Sequence, residues 1–519
     1  MRVLIFHGYL LSGTGSNVYN ARLAEALVRL GHEVHLLSQD RHPDRQPFVD
    51  AFGDWDEGTL RLSAIRAPER CTVYRPDIGG LLPVYVHDRY EGVRAQTFAD
   101  CSEAQVEAYV RANVQAVREI AQRVQPDVAL ANHLVMGPAI LARALGGKVP
   151  YAVKVHGSAL EYTVKPEPER FLKFAREGLA GARSVLVGSR HTAESLFDAI
   201  GDPQLAQRTS LGPPGVDVER FAPRERRQAD RALRELVERL RGGAHEPADG
   251  ESSAFARDER AAAAALERVL DGPEASPDER ILDGPDAPPN ERRELVAFVG
   301  KLIAGKGIDL LIAAWPLVLS RRPAAKLVVV GFGSWRESVE RLIGALAAGD
   351  LERAQRGALP YLGAFFRNLD EAERELYARC ARSIAERVVL TGRLDHEELA
   401  DLLPACEALV VPSTFPEAFG MVAVEAAACG VLPISARHSG LAEVSEAIAR
   451  ELPPQAAEWL SFPADQSAVR AIAERVTAWL EADGALKART RMALASIARE
   501  RWSWEGVARG VIGAARGEP

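Results

Sequence analysis

The sequence predicts an α/β protein of two Rossmann-like domains facing each other across a cleft. Three observations predict it. A length of 519 residues exceeds what one hydrophobic core ordinarily serves, so two large domains are expected. Through residues 1–214, short apolar runs alternate with amphipathic helical stretches, the rhythm of a parallel sheet with crossover helices. The same rhythm restarts at residue 294 and continues to 490.

The first strand is expected over residues 3–6, followed by the loop Ser12-Gly-Thr-Gly-Ser-Asn17. A helix through Ala21, Leu23, Leu27 and Leu30 ends at Gly31, and residues 32–38 form the next strand. Further strands are expected at 127–131, 151–156 and 184–187. In the second half they fall at 295–299, 326–330, 388–391, 408–411 and 430–435. Residues 491–519 are expected to end in a helix packed back on the N-terminal domain.

Residues 215–293 read as an interdomain link. Its first part, 224–241, is an amphipathic helix with seven arginines against four acids and an apolar face of Ala229, Leu233, Leu236, Val237 and Leu240. Covering the protein is favoured over peripheral membrane contact, because membrane binders need larger apolar faces. Residues 242–292 are rich in Ala, Asp, Glu, Pro and Gly, with a twelve-residue repeat that starts at Arg268 and again at Arg280. Such a composition buries too little surface to offset ordering entropy, so an acidic, disordered excursion is expected.

Composition narrows the function classes. Residues 245–292 hold thirteen acids and five arginines, which accounts for the whole net charge of −8. The remainder is neutral, so no nucleic-acid partner is expected. The five cysteines, Cys71, Cys101, Cys380, Cys406 and Cys429, are odd in number and lack CxxC spacing, which fits a reducing compartment without disulfides or a zinc cage. The N-terminal apolar run is short and is broken by His7 and Gly8, so a first strand explains it better than a signal peptide. No eighteen-residue apolar stretch suggests a membrane span, and a cytoplasmic location is expected.

The most informative motif is Pro412-Ser-Thr-Phe-Pro-Glu-Ala-Phe-Gly-Met-Val-Ala-Val-Glu425. It places Glu417 in a loop after a buried strand and Glu425 inside the following helix, near the carboxyl end of the strand, where open α/β sheets bind ligands. Backbone N–H groups around Gly420, Met421 and Val422 would face a phosphate at the helix start. A carboxylate can accept from two vicinal hydroxyls at once. Phosphate donors beside hydroxyl acceptors suggest a nucleotide-sugar site.

A second loop, Gly300-Lys-Leu-Ile-Ala-Gly-Lys-Gly307, supplies Lys301 and Lys306 among glycines that let the backbone approach a ligand. It is not a P-loop, since Gly307 stands where Ser or Thr is required after Lys306. By itself it reads equally well as a βα turn with solvated lysines. His156 ends a strand of the first half, where it could bond a sugar hydroxyl or a leaving phosphate, or serve only as a loop histidine.

Two other patterns point away from metals. Asp54-Trp-Asp56 matches an Asp-x-Asp metal motif but reads as a polar loop after no convincing strand. His32 and His35, three apart on a strand, point to opposite faces.

Taken in order, these residues resemble the retaining GT-B glycosyltransferases of family 4. The glycine loop with Gly31-His-Glu-Val34, Val187-Gly-Ser-Arg190, and Pro214-Gly-Val-Asp through Phe221 carry the resemblance, as do Lys306-Gly and Val330-Gly-Phe-Gly333. So do Thr391-Gly-Arg393, the Glu417 to Glu425 segment, Ser439-Gly-Leu-Ala-Glu443 and Trp504-Glu505. Lys301 departs from the arginine usual in such loops.

The resemblance implies that Glu425 holds the ribose hydroxyls, that Glu417 contacts the donor sugar, and that Lys306 and Lys301 neutralise the departing diphosphate in place of a metal. It further implies that Gly300 is donor-binding, that backbone groups around Gly420–Val422 grip the sugar, and that Gly15 approaches the diphosphate from the other domain. Arg393 and Leu394 would line the base pocket, and His156 would meet the sugar. The implied activity is retaining transfer of a sugar from a nucleoside-diphosphate sugar to an acceptor hydroxyl, with no cofactor and no catalytic metal. UDP is the favoured nucleotide, with GDP and ADP open. The acceptor, whether small molecule, glycan or lipid-linked, is not legible. A nucleotide-sugar hydrolase or epimerase on the same fold, or a non-catalytic binding scaffold, are the alternative readings.

Overall fold

In the computed structural model the described residues are 1–12, 15–56, 58–86, 94–243, 258–270, 294–356 and 360–518. They form two compact units, Met1–Gly215 with Trp502–Pro519, and Val216–Arg501.

The first unit is built on a nine-stranded sheet. Its strands are β1 (Arg2–Phe6), β2 (Glu33–Leu37), β3 (Ala51–Asp56), β4 (Thr59–Ala64) and β5 (Cys71–Arg75). After the separate pair β6 (Leu81–Val84) and β7 (Arg94–Thr97) come β8 (Val128–Asn132), β9 (Tyr151–Val155), β10 (Ser184–Val187) and β11 (Thr209–Leu211). The order is β11-β10-β9-β8-β1-β2-β5-β3-β4, parallel throughout except for the β3–β4 hairpin. β1 is central, with Val3 opposite Val34 on one side and Val128 on the other.

Period-two alternation divides the β1 side chains between two cores. Leu4 and Phe6 join the core that includes Val117, Ile140 and Phe171 of the helices Glu103–Val124, Gly137–Leu145 and Pro168–Ala180. Val3 and Ile5 face Leu23 and Leu27 of the helix Gly15–Arg29, together with Trp504, Val511 and Ile512 of the helix Trp504–Arg516. A Cβ at Gly215 would lie 2.6 Å from the Trp504 ring, so glycine is what lets the chain pass this helix. Sequence reasoning put the returning segment at 491–519. The helix Gly484–Trp502 instead stays with the second unit until its last residue, and the chain rejoins the first unit at Trp502.

Asp54-Trp-Asp56, expected in a polar loop, lies on β3. Parallel pairing of β3 with β5 and the hairpin to β4 impose the strand despite its polar residues. Asp54 is paired with Arg75 and Asp56 with Arg61.

The second unit has a parallel six-stranded sheet of β12 (Leu295–Val299), β13 (Lys326–Val330), β14 (Val388–Gly392), β15 (Ala408–Val411), β16 (Leu432–Ala436) and β17 (Ser461–Phe462). Its order is β14-β13-β12-β15-β16-β17, so the neighbours β12 and β15 lie at its centre. The apolar helix Ile308–Arg321 packs against the helix Ala468–Glu481, with Trp315 and Trp479 fully buried. The aromatic patch in 361–366 packs locally, with Phe365 and Phe366 against the Tyr377 ring.

The link contains a correction. Much of the expected disordered excursion, residues 244–257 and 271–293 with most of the repeat, lies outside the described residues. Residues 259–270, however, form a helix, Glu259–Leu270, whose Ala262, Ala263, Leu266 and Val269 are buried. It packs on the arginine-rich helix Arg226–Arg241 and on edge strand β14. Arg241 bonds Glu267 at 2.6 Å, and Arg268 donates to the Ala385 carbonyl at 3.1 Å. The alanine run has high helix propensity and an apolar stripe that can be buried, which outweighs the polar average of the segment around it. The arginine-rich helix buries the apolar face expected of it, and Arg224 and Arg239 both pair with Asp401.

Candidate active site

The carboxyl ends of the central strands β12 and β15 carry the residues of the site. β12 ends at Val299 and is followed by Gly300, Lys301 and the short turn Ala304–Lys306. Gly307 has φ +64, and a Cβ there would sit 1.9 Å from the Pro412 carbonyl oxygen, so only glycine lets this turn pack on the chain leaving β15. The Gly305 carbonyl accepts from the N–H groups of Thr414 (2.9 Å) and Phe415 (3.3 Å), which locks the two loops together. Lys306 is thereby brought to Glu417, and its Nζ is hydrogen-bonded to Oε1 of that carboxylate. Ser413 Oγ donates to the same oxygen at 2.6 Å.

The backbone of Glu417 is held from the start of the helix Ser439–Ala449, which follows β16. Its N–H donates to Ser439 Oγ at 2.8 Å, and its carbonyl accepts from Gly440 N–H at 3.0 Å. His438 Nε2 lies 2.7 Å from the Ser413 carbonyl, and its Nδ1 lies 3.0 Å from Ser439 Oγ. The carbonyl demands a donor, so Nε2 carries the proton and Nδ1 accepts from the serine hydroxyl. His438 and Ser413 were not singled out from sequence. Ser413 bonds the Glu417 carboxylate, and His438 ties the Ser413 carbonyl to Ser439, which with Gly440 holds the Glu417 backbone.

Gly420 (φ +120) ends the loop, and the helix Met421–Ala428 begins with no side-chain cap, so the first-turn amides of Met421 and Val422 have no capping oxygen. Inside this helix Glu425 is 3% exposed, and burial raises its carboxyl above the usual carboxylate range. His396 Nε2 lies 3.3 Å from Glu425 Oε1 and partly opposes that shift. His396 opens a helix capped by Asp395, to which Arg393 Nη2 donates at 3.1 Å, and Leu394 between them is buried. Lys301 is exposed at the end of the β12 loop. Lys301, Lys306, Gly300, Glu417, Gly420, Met421, Val422, Glu425, Arg393 and Leu394 therefore all belong to the carboxyl-end loops and helix starts of one sheet.

His156 and Gly15 belong to the first unit. Gly15 opens the helix Gly15–Arg29 with open space where a Cβ would stand, while Gly13 and Thr14 lie outside the described residues. His156 follows β9 and donates from Nε2 to Asn132 Oδ1 at 2.8 Å. It stands in a cluster that sequence reasoning missed, because three separate strands supply it. His7 follows β1, His133 follows β8, and the ring of His133 lies 5.9 Å from that of His7 and 5.0 Å from that of His156. Burial depresses all three imidazoles, His7 to about 4. After burial, the charge of His7 lowers His133 further, and those of His133, Lys154 and His7 lower His156 further. His35 bonds Glu33 and Tyr74, while His32 lies against the amino terminus. Among the described residues no group of three or more His, Cys, Asp or Glu side chains is placed to hold a metal ion, and no helix is long and apolar enough to cross a membrane.

Residues 14–205 match the Glycosyl transferase 4-like domain, and residues 283–351 and 368–500 match Glycosyl transferases group 1. A D-inositol 3-phosphate glycosyltransferase of Xylanimonas cellulosilytica is 23% identical over 83% of this chain and 77% of its own. Several other curated relatives are spanned over less than half of their length. Sucrose-phosphate synthase of Thermosynechococcus elongatus has the same fold, with a TM-score of 0.55 at 18% identity over 99% of this chain and 98% of that one. So does Anabaena HepE in complex with UDP and glucose, with a TM-score of 0.54 at 15% identity over 99% of each chain. The chain is a glycosyltransferase and belongs to the family 4 type with the GT-B fold.

Proposed function

We propose that the enzyme transfers a hexosyl group from a nucleoside-diphosphate sugar to an acceptor hydroxyl, with retention at the anomeric carbon and with lysines in the place of a divalent metal. The observation that carries this reading is the joined pair of loops, in which Lys306, Ser413 and Glu417 meet beside an uncapped helix start and the buried Glu425.

In this reading the diphosphate lies against the N–H groups of Met421 and Val422, with Lys306 and Lys301 as its counter-charges. Glu425 accepts from the two ribose hydroxyls and Glu417 from a hydroxyl of the sugar. The acceptor oxygen bonds to the anomeric carbon on the face from which the diphosphate oxygen departs, and the acceptor proton passes to that oxygen. No protein nucleophile is required. Catalysis then rests on stabilising the leaving charge and on orienting the acceptor. UDP is the nucleotide we propose, ahead of GDP and ADP, a choice supported by the structural neighbour that holds UDP and glucose. Gly15 is proposed to approach the diphosphate and His156 to meet the sugar.

The test is proton NMR of the glycoside formed from a UDP-α-sugar in the presence of a chelator. An α-linked product sustains the reading. A β-linked product overturns retention, and a reaction that stops in chelator and resumes with added magnesium overturns the role given to the lysines.

A further inference from the structure

Residues 217–224, where the link enters the second unit, meet the helix His396–Leu402. Arg220 pairs with Glu397, and Arg224 pairs with Asp401 at 2.8 Å. Between these ion pairs the Phe221 ring stands edge-on to the His396 imidazole, with centroids 4.9 Å apart and planes at 65°. Phe221 is fully buried, and its N–H donates to the Asp217 carbonyl at 2.8 Å. Asp217 Oδ1 takes the Arg220 N–H at 3.1 Å. A tight turn therefore fixes the ring from its own side, while the flanking arginines fix it to the helix.

The backbone of His396 is held as well. Asp395 caps the helix in a reciprocal box, its side chain accepting from the Glu398 N–H while its own N–H donates to Glu398 Oε2 at 2.7 Å. So placed, His396 brings Nε2 to 3.3 Å from Oε1 of Glu425. An ionised carboxylate oxygen can only accept, so the nitrogen that faces it carries a proton. Burial works against the charged form of Glu425, and His396 is the neighbour that opposes burial. The thiol of Cys429, one turn further on, is kept neutral by burial. Ionisation matters for recognition. A carboxylate offers about four acceptor sites, whereas a neutral acid turns one oxygen into a donor. With one site turned to His396, enough remain for the two vicinal hydroxyls of a ribose.

We propose that His396 is a positioning residue of the nucleotide site, holding Glu425 charged and aimed at both ribose hydroxyls, and that Phe221 in turn holds His396. His396 acts through Glu425 and does not itself touch the nucleotide. The assignment rests on the donor reading above, which gives the ribose to Glu425.

The test is calorimetry on the full chain in chelator, with UDP, GDP and ADP and with the 2′-deoxy counterpart of whichever binds the wild type. The variants are His396→Ala, His396→Gln, which keeps an N–H donor, and Phe221→Leu, which keeps an apolar side chain. In His396→Ala the affinity for the ribonucleotide should fall about tenfold or more, as for loss of a donor to a charged group. The 2′-deoxy form should weaken less, so that the preference for ribose shrinks by about threefold or more. Retained binding of the deoxy form shows that the variant is folded. His396→Gln should recover most of the preference, and Phe221→Leu should lose part of it. Equal weakening of both forms, an undiminished preference in His396→Ala, or no recovery in His396→Gln would overturn the role of His396. An undiminished preference in Phe221→Leu would overturn that of Phe221. A well-folded wild type that binds none of the nucleotides would overturn the donor reading, and this assignment with it.

Discussion

Lys306 Nζ, from the turn after β12, is hydrogen-bonded to the Glu417 carboxylate, from the loop after β15, and Ser413 Oγ donates to the same oxygen at 2.6 Å. The two charges hold each other before any ligand arrives. In the proposed donor site, a diphosphate drawing Lys306 away would leave Glu417 to Ser413 and to a sugar hydroxyl, so that donor binding would exchange one ion pair for another.

Replacing Lys306 with Ala should therefore lower kcat by about 10²–10³, the range for loss of one group that stabilises charge in the transition state. The fold should be little affected, because a part-exposed ion pair contributes only about 0–1 kcal/mol. Steady-state kinetics beside a thermal melt checks both. Wild-type turnover in the variant would remove Lys306 from the diphosphate.

Glu425→Gln keeps the shape of a buried side chain whose charged form is disfavoured by burial. The folded carboxyl titrates above its unfolded value, so the stability of its neutral form is present at low pH and is lost as pH rises through the folded value. The substitution is expected to leave the melting temperature at pH 7 unchanged or raised, while nucleotide affinity falls about tenfold or more. Unaltered affinity would show that the ribose lies elsewhere.

How far the site was legible depended on how local its contacts are. Glu417, Glu425 and Lys306 could be read because each lies in the loop or helix that directly follows an apolar strand, and the sheet brings those strand ends together. His438 could not, since its bond to the Ser413 carbonyl exists only because β16 lies beside β15. The same reason hid His7 and His133, which the neighbouring strands β1 and β8 bring together. The helix Glu259–Leu270 was missed for a different reason. Averaging composition across 242–292 concealed a twelve-residue stretch with its own apolar face.

Leu266 is fully buried in that helix, against the arginine-rich helix and β14. Leu266→Asp places an unpaired charge there and is expected to destabilise the second unit by about 3 kcal/mol or more. Urea unfolding with and without the substitution is the check. A midpoint unchanged within error would mean that the helix is not part of the fold.

Acid should act on the two units in opposite directions. His7 titrates at about 4 in the folded chain against 6.5 in a free imidazole, so protons prefer the unfolded state as pH falls below 6.5. At about 1.4 kcal/mol per unit, the first unit should lose about 3 kcal/mol by pH 4 from His7 alone. His133 and His156 are depressed in the same sense. In the second unit Asp309 is raised to about 6 by burial, and Glu425 is raised too, so those groups favour folding as pH falls. Peptide-resolved hydrogen exchange at pH 5 and pH 7.5, corrected for intrinsic rates, should show protection falling around residues 128–156 and holding around 308–319. The opposite pattern would mean that the histidines are solvated.

The most direct measurement is titration calorimetry of UDP, GDP and ADP against the wild-type chain, Lys306→Ala and Glu425→Ala, all in chelator. One nucleoside diphosphate should bind the wild type without metal and bind at least tenfold more weakly to both variants. A well-folded wild type that binds none of them, or variants that bind as tightly as the wild type, would contradict a donor site built from Lys306 and Glu425.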